Sequence, residues 1–181
     1  MPFRLRKKEA ASAGIRRIVR EQIDKTLELV GEAGSAEKIH GLRKRLKRIR
    51  AVVRLVRDDI GEKTFRRENR LLRELGRTLS PARDAAVRVS ALDDLRKKSA
   101  RDLSTRDLSP ARRRLVARRS TAVRRVSRSA TLADLGRELR AMRRRVRGWP
   151  LSKPGFACLE RGLRRAYRDG RRSEADAYAT R

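Results

Sequence analysis

The 181-residue chain carries 52 lysine and arginine side chains against 22 aspartates and glutamates, a formal net charge of +30. Such an excess repels itself, so a folded state calls for a counter-charge: a phosphate polymer, a nucleic acid or an anionic membrane surface. Disorder is excluded because 38% of the residues are apolar and recur with a helical period, and no apolar run is long enough to span a bilayer.

Helix signals run through the whole chain, and strand signals are almost absent. The first predicted helix covers roughly 9–31, with Ile15, Val19, Ile23, Leu27 and Val30 on one face and Gly31 and Gly34 at its end. Ser35 is the expected N-cap of a second helix over roughly 36–60, which Gly61 stops. A third, roughly 63–79, places Phe65, Leu72, Leu75 and Leu79 on one side. Ser80-Pro81 and Ser109-Pro110 each set a cap residue before a proline. They predict helices opening there and running to about 100 and about 129. Thr131 and Asp134 have the spacing of a capping box for a sixth helix with Leu132, Leu135, Leu139, Met142 and Val146 inward. Trp149 to Gly155 is the clearest break, and a seventh helix over roughly 156–178 follows it, with Phe156, Leu159, Leu163 and Tyr167 as an apolar face. Short connections between helices of this length predict an all-α, antiparallel helical bundle, with residues 1–150 as the bundle and 151–181 as a separate packing unit.

The second helix carries the sharpest signal. Ile39, Leu42, Leu46, Ile49, Val53, Val56 and Ile60 alternate spacings of three and four, the pattern of a buried seam. One position on, His40, Arg43, Lys47, Arg50, Arg54 and Arg57 form a second row, about 100° around the helix and about 26 Å long. Lys44 and Arg48 flank it. Like charges at three- and four-residue spacing repel by a few tenths of a kcal/mol per pair. A linear polyanion along the row turns those repulsions into charge-assisted hydrogen bonds. No acidic residue lies between Glu37 and Asp58, so the helix holds no internal partner for the row. Arg66, Arg70, Arg73 and Arg77 repeat the pattern in the third helix, and Arg137, Arg140, Arg144 and Arg147 in the sixth. The arginines of 112–125 serve as a comparison set outside these rows.

Arginine outnumbers lysine heavily, with lysine filling only ten of the 52 basic positions. Its planar fork suits phosphate. A lone cysteine, Cys158, permits no intramolecular disulfide and fits a reducing cytoplasm, where it is expected to be a small packing residue. With one histidine and one cysteine far apart, neither a zinc site nor a catalytic base with its partners is expected, and no cofactor is implied.

The run Ile39-His-Gly-Leu-Arg-Lys-Arg-Leu-Lys-Arg-Ile-Arg50 resembles the signature of the CHAD family, the conserved histidine α-helical domain. A histidine, an arginine three residues on, and basic residues at about +7, +8 and +10 fall on His40, Arg43, Lys47, Arg48 and Arg50. Glu68-Asn69, the segment Leu79 to Asp84, the segment Gly162 to Arg171 and the opening helix with Gly14 to Ile18 are similar to further family segments, in the right order. The resemblance implies two pseudo-symmetric helical bundles around a basic cleft that binds inorganic polyphosphate, with no catalytic activity. It makes 1–150 the first half and 151–181 the start of the second. The family's second His-and-Arg helix has no counterpart before Arg181, so either the chain is a truncated form or natural half, or a partner chain supplies the rest. A homodimer pairing through the seventh helix is one such arrangement.

The expected polyphosphate contacts are therefore Arg43, Lys47, Arg50 and Arg54, with His40 at one end and Lys44 and Arg48 beside them. A second tier comprises Arg17, Arg20, Arg66, Arg70, Arg73, Arg83, Arg165 and Arg168. The competing reading is sequence-nonspecific nucleic-acid binding. Against it, the basic helices are nearly bare of aromatics for base stacking, and Gln22 and Asn69 are the only side-chain amides for base edges. A basic assembly protein docking on an acidic partner is a third reading. An enzyme is the weakest, since no nucleophile, paired-carboxylate or phosphate-loop motif stands out.

Overall fold

The computed structural model describes residues 3–98, 105–128, 130–151 and 155–179. These residues form eight helices and no strand: α1 (Ala11–Gly31), α2 (Ala36–Leu55), α3 (Arg57–Ile60), α4 (Glu62–Thr78), α5 (Ser80–Lys98), α6 (Thr105–Arg128), α7 (Ala130–Val146) and α8 (Ala157–Ala179). The fold class is all-α, as the periodicity predicts. Among the described residues no helix is long and apolar enough to cross a membrane.

α2 is the hub. It packs against α1 and α4 along its length and also touches α5, α6 and α8, while α7 closes the bundle against α1, α4 and α6. All seven residues of its predicted seam are buried, at about 1.5–3 kcal/mol for each large side chain removed from water. Leu72 and Leu75 of α4, with Leu79 just past its end, share the core with that seam, as do Leu135, Leu139, Met142 and Val146 of α7. Ser35 caps α2 as expected, accepting a hydrogen bond from the Lys38 amide at 3.3 Å.

Three local expectations are corrected. The predicted second helix is broken at Val56, whose backbone (φ −95°, ψ 14°) separates α2 from the single turn of α3. Gly61 then ends α3 in a positive-φ conformation (φ 78°) that disfavours other residues. α6 starts at Thr105, so Pro110 lies inside it and not at its first position. The cause is tertiary, because α6 packs along α5, with Arg112 reaching back to Asp93 at 2.7 Å, and this outweighs one lost backbone bond. Thr131 is likewise inside α7 and does not precede it, and Asp134 pairs with Arg137 at 2.7 Å. Ser152, Lys153 and Pro154 of the expected break, and the turn between the fourth and fifth predicted helices, lie outside the described residues.

α8 crosses α2 at Gly162, where a Cβ would sit 1.7 Å from the Leu55 carbonyl oxygen. Cys158, Leu159 and Gly162 form its buried side. Phe156, Leu163 and Tyr167 remain exposed, so the predicted apolar face of this helix is divided between core and surface.

Candidate functional site

Between α2 and α4 runs a groove of about 200 Å³, floored by Leu46 and Leu72. Arg43, Lys47 and Arg50 line it from α2, Arg73 and Arg77 from α4, and Ser80 stands at the start of α5. Among the described residues no carboxylate lines it. The spacing of three and four that aligns Arg43, Lys47 and Arg50 on α2 brings them beside the apolar seam, while Arg73 and Arg77, four residues apart, do the same on α4.

Each side chain is held differently. Arg43 donates through one terminal nitrogen to the Gly76 carbonyl at 2.5 Å and to the Ser80 hydroxyl at 2.6 Å. It thereby satisfies a carbonyl in the last turn of α4, where a cation also suits the helix dipole. The Ser80 hydroxyl in turn donates to the Gly76 carbonyl at 3.1 Å. Arg50 donates from Nε to the Asn69 side-chain oxygen at 2.7 Å. Burial first, and the charges of Arg54 and Arg73 second, hold the Arg50 guanidinium below its ordinary range. A cation is thus partly desolvated beside two more cations, with an amide in place of a carboxylate.

The remaining expected contacts are dispersed. Arg54 neighbours Arg50 but lines a separate recess between α2 and α8, together with Arg165. His40, Lys44 and Arg48 are exposed on α2, outside the groove. Arg66 and Arg70 border the α4–α7 side, where Glu74, Asp134 and Glu138 accompany them, and Arg66 pairs with Glu62 at 2.6 Å. Arg165 pairs with Asp58 at 3.0 Å and donates to the Arg54 carbonyl at 3.2 Å. Arg168 lies in a surface recess near it, and Arg83 is half-buried on α5. Arg17 is clasped by Glu9 at 2.6 Å and Glu21 at 3.0 Å, and the hydrogen bonds to these carboxylates raise its pKa. Arg20 is half-buried on α1, with its Nε unpartnered.

Sequence reasoning did not assign Asn69 and Ser80 their parts in orienting Arg50 and Arg43. It named Glu68 only within a family-like segment and missed its part, a fully buried carboxylate that grips Arg145 of α7 through two bonds of 2.8 Å and takes Arg67 at 2.9 Å. The signal was present, since Glu68 occupies the seam register between Phe65 and Leu72. Among the described residues no cluster of three histidine, cysteine, aspartate or glutamate side chains is placed to hold a metal ion.

A family model described as CHAD domain matches residues 17–181, nearly the whole chain. No curated protein and no solved structure matches it.

Proposed function

Because the chain belongs to the CHAD domain family, we propose that it binds inorganic polyphosphate in the α2–α4 groove and catalyses no reaction on it. Domains of this family bind polyphosphate in general and are generally non-catalytic, which supports the choice of polymer. The observation that carries the assignment to this groove is Arg50, depressed by burial and by like charges, in a channel lined by five cations and no carboxylate. A phosphate chain laid between Arg43, Lys47 and Arg50 on one wall and Arg73 and Arg77 on the other supplies the missing counter-charge. Arg54 and His40 extend the contact row along α2. A carrier that binds in this way follows its polymer, in the cytoplasm and on polyphosphate granules.

Nucleic acid fits the groove less well. Among the described residues no aromatic side chain lines it to stack a base, and a duplex is too broad for a channel of about 200 Å³.

The test compares two proteins with equal charge loss. In one, Lys47, Arg50 and Arg73 become glutamine; in the other, Arg113, Arg124 and Arg171 do. Polyphosphate affinity is then measured across a salt series, with duplex DNA as competitor. The groove variant is expected to lose about 150-fold, at roughly one kcal/mol for each of its three lost charged contacts. Its salt dependence should become shallower by about 0.7 per contact. Equal losses in both proteins, or stronger binding of the duplex, would overturn the assignment.

A further inference from the structure

Arg77 lines a second cavity as well as the groove. This cavity, about 680 Å³, lies where the end of α4 and the start of α5 meet α6 and α7. Its other cations are Arg118 and Arg125 of α6, and its floor includes Ala117, Ala122 and Val126. No carboxylate lines it, and Arg77, Arg118 and Arg125 make no ion pair within the described residues. The three guanidiniums therefore surround an apolar floor with no counter-charge.

Two physical facts give this arrangement meaning. Walls of low dielectric with charge of one sign concentrate the field, so an anion there is held more strongly than on a solvated face. Arg118 and Arg125 are seven residues apart on one face of α6, about 10 Å along the axis, a span that a chain of several phosphates covers and a single small ion does not. The periodicity of α6 shows no row beside a buried seam, so the sequence sets these arginines in the comparison set. The fold brings two of them to Arg77.

We propose that the second cavity continues the anion track. A linear phosphate polymer in the α2–α4 groove passes Arg77 and lies against Arg118 and Arg125, so the protein discriminates chains by length. This rests on polyphosphate occupying the groove. Short chains are satisfied by the groove alone, whereas long chains engage both segments and gain from the second as an intramolecular contact.

The experiment measures binding of tripolyphosphate and of long-chain polyphosphate to three variants: R118Q/R125Q, R113Q/R124Q and K47Q/R50Q/R73Q. Arg113 and Arg124 lie on the opposite face of α6 and line neither cavity. All four α6 arginines are exposed, so their loss is expected to leave the thermal melt in place. R118Q/R125Q should weaken long-chain binding about tenfold while changing tripolyphosphate less than about twofold. R113Q/R124Q should change both only slightly. The track is overturned if R118Q/R125Q leaves long-chain binding intact, or if it matches R113Q/R124Q on both ligands. Failure of the groove itself shows differently, as K47Q/R50Q/R73Q with undiminished binding of either polymer.

Discussion

Asn69 holds Arg50 by a single hydrogen bond, from the guanidinium Nε to the amide oxygen at 2.7 Å. The four terminal N–H groups of Arg50 have no partner among the described residues, and none of those residues that line the groove is an acid. An amide orients the cation without neutralising it, which an aspartate in the same place would do.

Asn69→Ala should therefore weaken polyphosphate binding about fivefold, the worth of one ordinary hydrogen bond, with little change in melting temperature. The measurement is a double-mutant cycle with Arg50→Gln by titration calorimetry. If Asn69 acts through Arg50, the double variant binds no worse than Arg50→Gln alone. Fully additive losses would sink the positioning role.

Glu68→Gln should be far more damaging to stability than to binding. It leaves Arg145, itself only 27% exposed, without its bidentate carboxylate across the α4–α7 contact. Removing one partner of a buried pair costs about 3–5 kcal/mol, and the partial exposure of Arg145 places this case near 2–3. Urea unfolding monitored by circular dichroism reads it directly; a change below about 0.5 kcal/mol would contradict the pairing.

Gly162→Ala should detach α8. The added Cβ would lie 1.7 Å from the Leu55 oxygen, and that obstacle is backbone, which cannot swing aside. Overpacking of this kind costs about 1–3 kcal/mol. Exposure of Cys158, now buried on the inner side of α8, should rise and be detectable by thiol labelling. Gly170→Ala, with open space around it, is the neutral comparison.

Glu9 makes a pH prediction. Its hydrogen bond to Arg17 holds its pKa at about 2 against an ordinary 4.5. A carboxylate lowered in this way stabilises the fold above the ordinary value, and the stabilisation is lost as pH falls from there through about 2. Carbon-detected NMR titration of the Glu9 carboxyl should give a midpoint near 2, and Arg17→Gln should return it toward 4.5. A midpoint near 4.5 in the unmodified protein means that the clasp is open in solution.

The second helix was the most legible element because its whole seam is buried, and burial of one helical face is what the three-and-four spacing encodes. The cationic row beside it was legible only in part. Five residues of the row follow α2, with Arg57 beyond the break at Val56, but a groove needs a second wall. Which members face that wall depends on where α4 lies, so Arg43, Lys47 and Arg50 line it while His40 does not. Arg66 and Arg73 look alike in sequence, yet α4 divides two grooves and sends them to different ones. Pro110 misled because a helix start was read from local chemistry, while packing against α5 carried the helix five residues further back. Glu68 was named only within a family-like segment, and its pairing role was not legible because an acid in an apolar register is passed over when only apolar residues are followed.

Glu68 and Asn69 are adjacent on α4, about 100° apart around its axis, one fastened to α7 and the other to Arg50 on α2. A helix tied on two sides is not free to roll. The distance and angle between the two cationic walls are therefore set from the far side of the bundle before any polymer arrives. If polyphosphate occupies the channel as proposed, it meets a fixed gauge that would sort chains by what they can lay down in it, and not a glove that closes around them. Capture should accordingly be fast, show little slow rearrangement in stopped-flow traces, and depend on ionic strength chiefly through the rate of encounter.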